Sequence, residues 1–409
     1  MLSSLAKFLT VAAALTATAH GSPQGWGGSG GQGGDQSGSG SGSGGNAVSS
    51  QVTATPTYSL AGSSTSASAT SCYSGCTTAT STVEDGTVCN GSPDLCDRTY
   101  DNVTHIGAHD SPFLRDDSTD NSIAGTQYFN ATYALNNGLR LLQLQAHDLN
   151  GTIEACHTTC SLLDGGSLQD WLSAVKAWMD KNPNDVVTIL IVNSDSFNAT
   201  DFGQVFSATN IDNYAYTPTS TTWPTLGEMI DANKRLVVFI ASFTTDTTYT
   251  YLLNEWDYIF ETAYEVTSLS GFNCTLDRPS TYDSATAAIS AGMMPLMNHF
   301  AYTVVATYEI PDASDIETTN SPSTTTEGAL GLHAQNCNSQ WSMAPTFVLV
   351  DFFNKGPAIT TGDNLNGITA TGRSNSTSAD GSTASSDAGR VRGSLAALLA
   401  AAAVAVLLG

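Results

Sequence analysis

Val186-Val187-Thr188-Ile189-Leu190-Ile191-Val192-Asn193 decides the fold class. Apolar and β-branched residues run without a break and stop on an amide. A strand with one wet face alternates apolar and polar residues. An unbroken run suits a strand covered on both faces, as in a parallel sheet. Just upstream, residues 167–181 (SLQDWLSAVKAWMDK) set Leu168, Trp171, Leu172, Val175, Trp178 and Met179 at helical spacing. Ser167 stands at the N-cap and Pro183 lies just past the end. Both tryptophans read as core packing. A helix feeding a doubly covered strand is part of a βα repeat.

Further strand candidates lie at 103–107, 139–144, 151–156, 235–241, 258–262, 294–299 and 346–352. Eight such runs with helical patterns between them favour an α/β fold, a single (β/α)8 TIM-like barrel, over an open doubly wound sheet. No G-x-G-x-x-G follows the first strand, so nothing points to a dinucleotide.

The ends of the chain have a different composition. Residues 1–19 carry one lysine, an apolar stretch and Ala17-Thr18-Ala19, the pattern of a secretory signal. Residues 20–71 are a Gly/Ser/Thr-rich arm that cannot bury enough apolar surface to fold. The barrel is expected over 72–357 and a Ser/Thr-rich stalk over 358–392. Residues 393–409 form an uncharged Ala/Leu/Val tail, too short for an ordinary membrane span. Behind a polar spacer, it reads as a GPI-attachment signal. Secretion, with display at the cell surface, is the expectation. Sequons at Asn90, Asn102, Asn130, Asn150, Asn198, Asn273 and Asn375 agree with it. So does the even number of cysteines, eight, for which disulfides are the default. The formal charge of −24 argues against nucleic acid and anionic membrane surfaces as partners.

Catalytic residues of such a barrel sit where strands end at its C-terminal face. The strand ends here are polar: His109-Asp110, Gln145-Ala146-His147-Asp148, His157, Asn193-Ser194-Asp195, Asn298-His299 and Asp351. His109 followed by a carboxylate is a candidate general base, and a second histidine can return the proton. Period two along strand two points Gln143, Gln145 and His147 inward and Arg140 outward. His105 shares the parity of His109 but lies deeper, and reads as a hydrogen-bonded core histidine.

The segment Ile106-Gly107-Ala108-His109-Asp110-Ser111 resembles the one that opens the catalytic X region of phosphatidylinositol-specific phospholipases C. Cys89 to Cys96 (CNGSPDLC), Leu139 to Gln143 (LRLLQ), Cys156 to Cys160 (CHTTC) and Trp178 to Val192 extend the likeness to fungal secreted phospholipase-C-like phosphodiesterases. The resemblance implies a substrate that is an inositol phospholipid or an inositol-containing glycolipid. It implies that His109 deprotonates the inositol 2-hydroxyl and His157 protonates the leaving oxygen. Asp110 would orient the site, and Asp351 would hold His109 in the right tautomer.

One departure stands out. The family usually ends strand two in charged groups, and Gln143 and Gln145 replace them here. A transferring phosphoryl group needs positive stabilisation. Three sources are open: a protonated His147; Arg115 or Lys355 reaching in from loops to the substrate; or a divalent cation such as calcium on Asp110, Asp148 or Glu154. No cofactor is otherwise expected. A barrel that binds lipid or carbohydrate without turnover is the alternative. A glycosidase would need paired carboxylates, for which Glu154 and Asp351 are the candidates.

Overall fold

The structure, a computed structural model, describes residues 87–373 except 306 and 307. The expected signal, arm and GPI tail lie outside the described residues, as do Cys72 and Cys76. In chain order, β1 (His105–Ala108) and β2 (Leu141–Leu149) are followed by a short pair, β3 (Thr152–Cys156) and β4 (Asp164–Ser167). Then come β5 (Val187–Asn193), β6 (Leu236–Ala241), β7 (Leu252–Asn254), β8 (Ile259–Glu261) and β9 (Met294–Asn298). A hairpin, β10 (Tyr302–Val305) and β11 (Tyr308–Pro311), precedes β12 (Phe347–Val350).

Eight of these strands run parallel, in the order β7-β6-β5-β2-β1-β12-β9-β8, and curl into the α/β barrel that the apolar runs imply. Both faces of each strand are buried, and the side chains divide by period two. On β5, Val187, Ile189 and Ile191 pack toward the helices while Leu190 packs into the barrel. On β12, Val348 and Val350 go outward while Phe347 and Leu349 go inward. Helix α1 (Ala131–Asn136) lies against α2 (Leu168–Lys181), whose buried face is Leu168, Trp171, Leu172, Val175, Trp178 and Met179. The Ser167 side chain caps α2 by accepting from the Asp170 amide.

Two strand assignments change. The 151–156 run is not a barrel strand: β3 pairs antiparallel with the far end of β2. Its residues are not a continuous apolar run but alternate exposed and buried, as a half-wet hairpin arm does. The barrel position goes instead to β7, three residues from a Tyr-rich segment that carries no strand signal. The ladder has no β7–β8 pairing among the described residues. Only a four-residue 3₁₀ link, containing Glu255–Asp257, joins them. A parallel pairing needs a crossover of roughly a dozen residues.

The folded unit also passes residue 357, where the stalk was expected to start. The last helix of the described chain, Ala358–Asn366, packs on β1. Asn366 accepts from the Thr104 amide through Oδ1 and donates to the Thr104 carbonyl through Nδ2, each at 2.9 Å. Three disulfides, Cys89–Cys96, Cys156–Cys160 and Cys274–Cys337, staple connections around the barrel. The Asn90 sequon is closed by the fold, because its side chain is buried and accepts from the Val186 amide.

Gly107 sets how closely β1 approaches β2. A Cβ there would lie 2.6 Å from Leu141 Cγ. Gly107→Ala is therefore expected to lower stability by about 1–3 kcal/mol, read as a lower denaturant midpoint. An unchanged midpoint would show that the strands have slack at this position.

Candidate active site

Strand parity builds the site. His105 and Gly107 face into the barrel, so His109 does too, one step past the end of β1. By the same count Gln143 and Gln145 of β2, Glu261 of β8, Asn298 of β9 and Asp351 after β12 point inward at the C-terminal end. Of the residues named from the sequence, the structure brings together His109, Asp110, Gln143, Gln145, His157 and Asp351.

His109 Nδ1 lies 2.8 Å from Asp351 Oδ1, and both groups are buried. A carboxylate accepts only, so Nδ1 carries a proton, and in the neutral ring Nε2 keeps the lone pair. The ring stacks on Phe300, with centroids 3.7 Å apart and planes 8° from parallel. Asp110 has φ +47°, a left-handed conformation that aspartate tolerates better than most residues. Its amide donates to Gln143 Oε1 at 2.6 Å. Its Oδ2 accepts from Gln145 Nε2 at 2.8 Å and stands 3.5 Å from His109 Nε2 and 3.4 Å from His157 Nε2. The two Nε2 atoms are therefore no more than about 7 Å apart.

His157 arrives from the loop closed by the Cys156–Cys160 disulfide. Gln145 Oε1 accepts from the Thr158 amide at 3.0 Å, so one glutamine ties this loop to Asp110. The Phe113 ring meets the His157 imidazole edge-on at 5.2 Å.

Burial pushes the His109 imidazole down, but Asp110 and Asp351 outweigh it and its pKa ends raised. Burial lowers His157, and the pull of Asp110 does not restore it. Burial raises Asp351, against the opposing effect of His109. In the free site the proton thus favours His109 over His157. Asp110 Oδ1 and Asp351 Oδ2 are buried without a hydrogen-bond partner.

The candidate cations are held by other groups. Arg115 donates to the carbonyls of Gly125, Ile123 and Pro311 and lies over the Phe352 ring at 4.9 Å, so it serves as a loop strap. Lys355 is exposed, with Nζ 5.8 Å from the Tyr128 ring centre. His147 Nδ1 is 3.5 Å from Asp195 Oδ2. Arg140 lies at the other end of β2, paired with Asp185. Among the described residues the one metal-like grouping is Cys274, His333 and Cys337, whose cysteines are already joined in a disulfide. Asp110, Asp148 and Glu154 do not form such a grouping. Glu154 is pushed up to about 7 by burial and then by Asp164 and Asp170.

The strand-by-strand reading missed a second wall. Glu261, buried at the end of β8, pairs with Arg278 and accepts from Asn298 Nδ2 at 3.1 Å. Arg278 lies over Tyr264 at 4.3 Å and Trp256 at 5.4 Å. Burial and then the Glu261 charge push Glu255 well above the usual carboxylate range. Glu261 also acts on His109. Inward parity at 259 and 261 was the available signal for Glu261; Asn298 already stood among the polar strand ends. Gln127 had none: it comes from a loop, and its Nε2 donates to the His109 and Val350 carbonyls.

The model of the PI-PLC X family matches residues 95–366. A PI-PLC X domain-containing protein of Arthroderma benhamiae is 36% identical over 69% of this chain and 90% of its own length. A protein of the same organism, named as an uncharacterized secreted protein, is 34% identical over 70% of this chain and 65% of its own. Among solved structures, the phosphatidylinositol-specific phospholipase C of Listeria monocytogenes aligns with a TM-score of 0.46 at 15% identity. It covers 68% of this chain and 96% of that one.

Asp351→Asn removes one of the neighbouring charges, after Asp110, that raise the His109 pKa. The His109 pKa is expected to fall, as read by NMR of its imidazole nitrogens. A titration unchanged from the wild type would contradict the pairing.

Proposed function

The chain belongs to the PI-PLC X family, and from that premise we propose that it is an extracellular phosphodiesterase acting on inositol phospholipids or glycosylated inositol lipids. The observation that carries this reading is the pair of imidazoles facing one carboxylate oxygen, close enough to serve the two sides of a single phosphate. His109 Nε2, with Asp351 on its other nitrogen, takes the proton of the inositol 2-hydroxyl. The freed oxygen attacks phosphorus. The bond from phosphorus to the glycerol oxygen breaks, and His157 gives that oxygen its proton. The products are a cyclic inositol phosphate and diacylglycerol. Proton transfer of this kind contributes about 10²–10⁴-fold in rate at each step.

The charge balance differs from what the family resemblance implies. Gln145 spends both ends of its amide inside the protein, on Asp110 and on Thr158. It positions Asp110 but brings no charge to the phosphate. Arg278, partly exposed on the opposite wall, is the cation we assign to the substrate's anionic side. The secreted name of one relative, the disulfides and the leader-like residues 1–19 support action outside the cell. The tether expected at 393–409 belongs to the same reading.

The neutral glutamine favours one other reading, a barrel that binds inositol lipid without turnover. Incubating the purified protein with phosphatidylinositol separates the two. The proposed enzyme releases cyclic inositol phosphate, and His109→Ala or His157→Ala lowers kcat/KM by about 10²–10⁴-fold. Binding with no phosphate product, even at high enzyme concentration, would establish the second reading.

The pH dependence should be a bell, with its limbs belonging to the coupled pair. The base has the higher pKa and the acid the lower, so the productive form is a minority species. The alkaline limb then follows His109. Asp351→Asn is expected to move that limb to lower pH in the residual activity. A shift confined to the acidic limb would reverse the assignment.

A further inference from the structure

Two buried acids share one cation on the β8 side of the barrel. Glu255 is 1% exposed and Glu261 is 3% exposed. Arg278 pairs with Glu261. Glu255 makes no ion pair among the described residues, and its Oε1 is buried without a hydrogen-bond partner. An ionised carboxylate in that position is costly, and such a group takes up a proton instead.

The place of Glu255 in the fold explains its partner. It lies on the 3₁₀ link between β7 and β8, where the barrel ladder has no pairing among the described residues. From there its carboxyl reaches Glu261 by a hydrogen bond. Two carboxyl groups can share a hydrogen bond only if one of them carries a proton. Glu261 is the ionised member. Its Oε2 accepts from Arg278 Nε at 3.2 Å, from Arg278 Nη2 and from Asn298 Nδ2 at 3.1 Å. Glu255 is therefore the donor.

That proton decides what Arg278 can do. A guanidinium has five N–H donors. Two of them go to Glu261, and the rest make no hydrogen bond among the described residues. The Arg278 side chain is 37% exposed. With Glu255 neutral, the charges of Arg278 and Glu261 cancel, and the free donors can meet a phosphate oxygen. With Glu255 ionised, this wall would carry a net negative charge and repel an anionic substrate.

We propose that Glu255 is a positioning residue: a buried, protonated acid that donates to Glu261 and so holds Arg278 with its remaining N–H donors free for the phosphate of the substrate. The inference rests on the reading above that sets the substrate's anionic side at Arg278. Glu255 itself touches no substrate and acts through Glu261.

Infrared difference spectroscopy of the purified protein reads the proton. Calorimetric titration with inositol 1-phosphate reads the guanidinium. At neutral pH the wild type is expected to show the C=O stretch of a buried protonated carboxyl that Glu255→Gln loses. Glu255→Gln still offers Glu261 an N–H, so it should bind inositol 1-phosphate within about twofold of the wild type. Glu255→Ala offers none and should bind about tenfold or more weakly. A merely structural role would lower the melting temperature without separating the two variants in affinity. An infrared spectrum that Glu255→Gln leaves unchanged would overturn the proposal, and so would equal affinities in the Gln and Ala variants. The infrared measurement needs only Glu255→Gln, so a misfolded Glu255→Ala leaves it decisive. Phosphatidylinositol turnover keeps the two readings apart. Loss of the carboxyl band in Glu255→Gln, in a protein that turns over no lipid, would defeat the catalytic reading and leave the role of Glu255 standing. Turnover with an unchanged infrared spectrum would do the reverse.

Discussion

Oδ2 of Asp110 faces His109 on one side, His157 on the other and the Gln145 amide between them. The rest of the site is arranged to keep that oxygen in place. Gln143 fixes the Asp110 amide, and the left-handed turn at Asp110 lets adjacent residues aim at a common point. Gln145 extends the same arrangement to the His157 loop, which has no strand of its own to hold it. A buried carboxylate is costly unless it is paired and hydrogen-bonded. Asp110 and Asp351 meet that cost with imidazoles and an amide, and each keeps one buried oxygen without a partner.

Barrel register is the constraint behind the geometry. Side chains alternate between the helix layer and the interior, so one strand's apolar pattern fixes which of its last residues can enter the site. His109, Gln143, Gln145 and Asp351 follow from that count, and so do Glu261 and Asn298. Chemistry distinguishes the two sides of the mouth. The β1, β2 and β12 side holds acid–base groups, while the β8 and β9 side holds an Arg278–Glu261 pair framed by aromatic rings.

Residues with strong local signals could be placed from sequence. Val186 to Asn193 is a strand because nothing polar interrupts it, and α2 is a helix because its apolar residues recur at the right spacing. The pairing of His109 with Asp351 was accessible too, since the first and last strands of a barrel are neighbours. What failed were elements set by tertiary context. Leu252–Asn254 is too short to show a period, and β3 takes its place from the strand that β2 extends. The helix at Ala358–Asn366 hides in a Thr/Gly/Asn composition that reads as stalk, yet it is held by Asn366 on Thr104 and by the contact of Gly362 with Ile106. Arg278 lies on a loop whose approach to Glu261 no spacing rule foretells. The reversed pKa order of the histidines depends on burial and on two carboxylates more than 200 residues apart in sequence.

The most direct test of the two-histidine site is a crystal structure with a cyclic inositol phosphate bound. The phosphorus should lie between His109 Nε2 and His157 Nε2, each within hydrogen-bond distance of a different phosphate oxygen. A phosphate held by one histidine alone, or seated away from Asp110, would contradict the account.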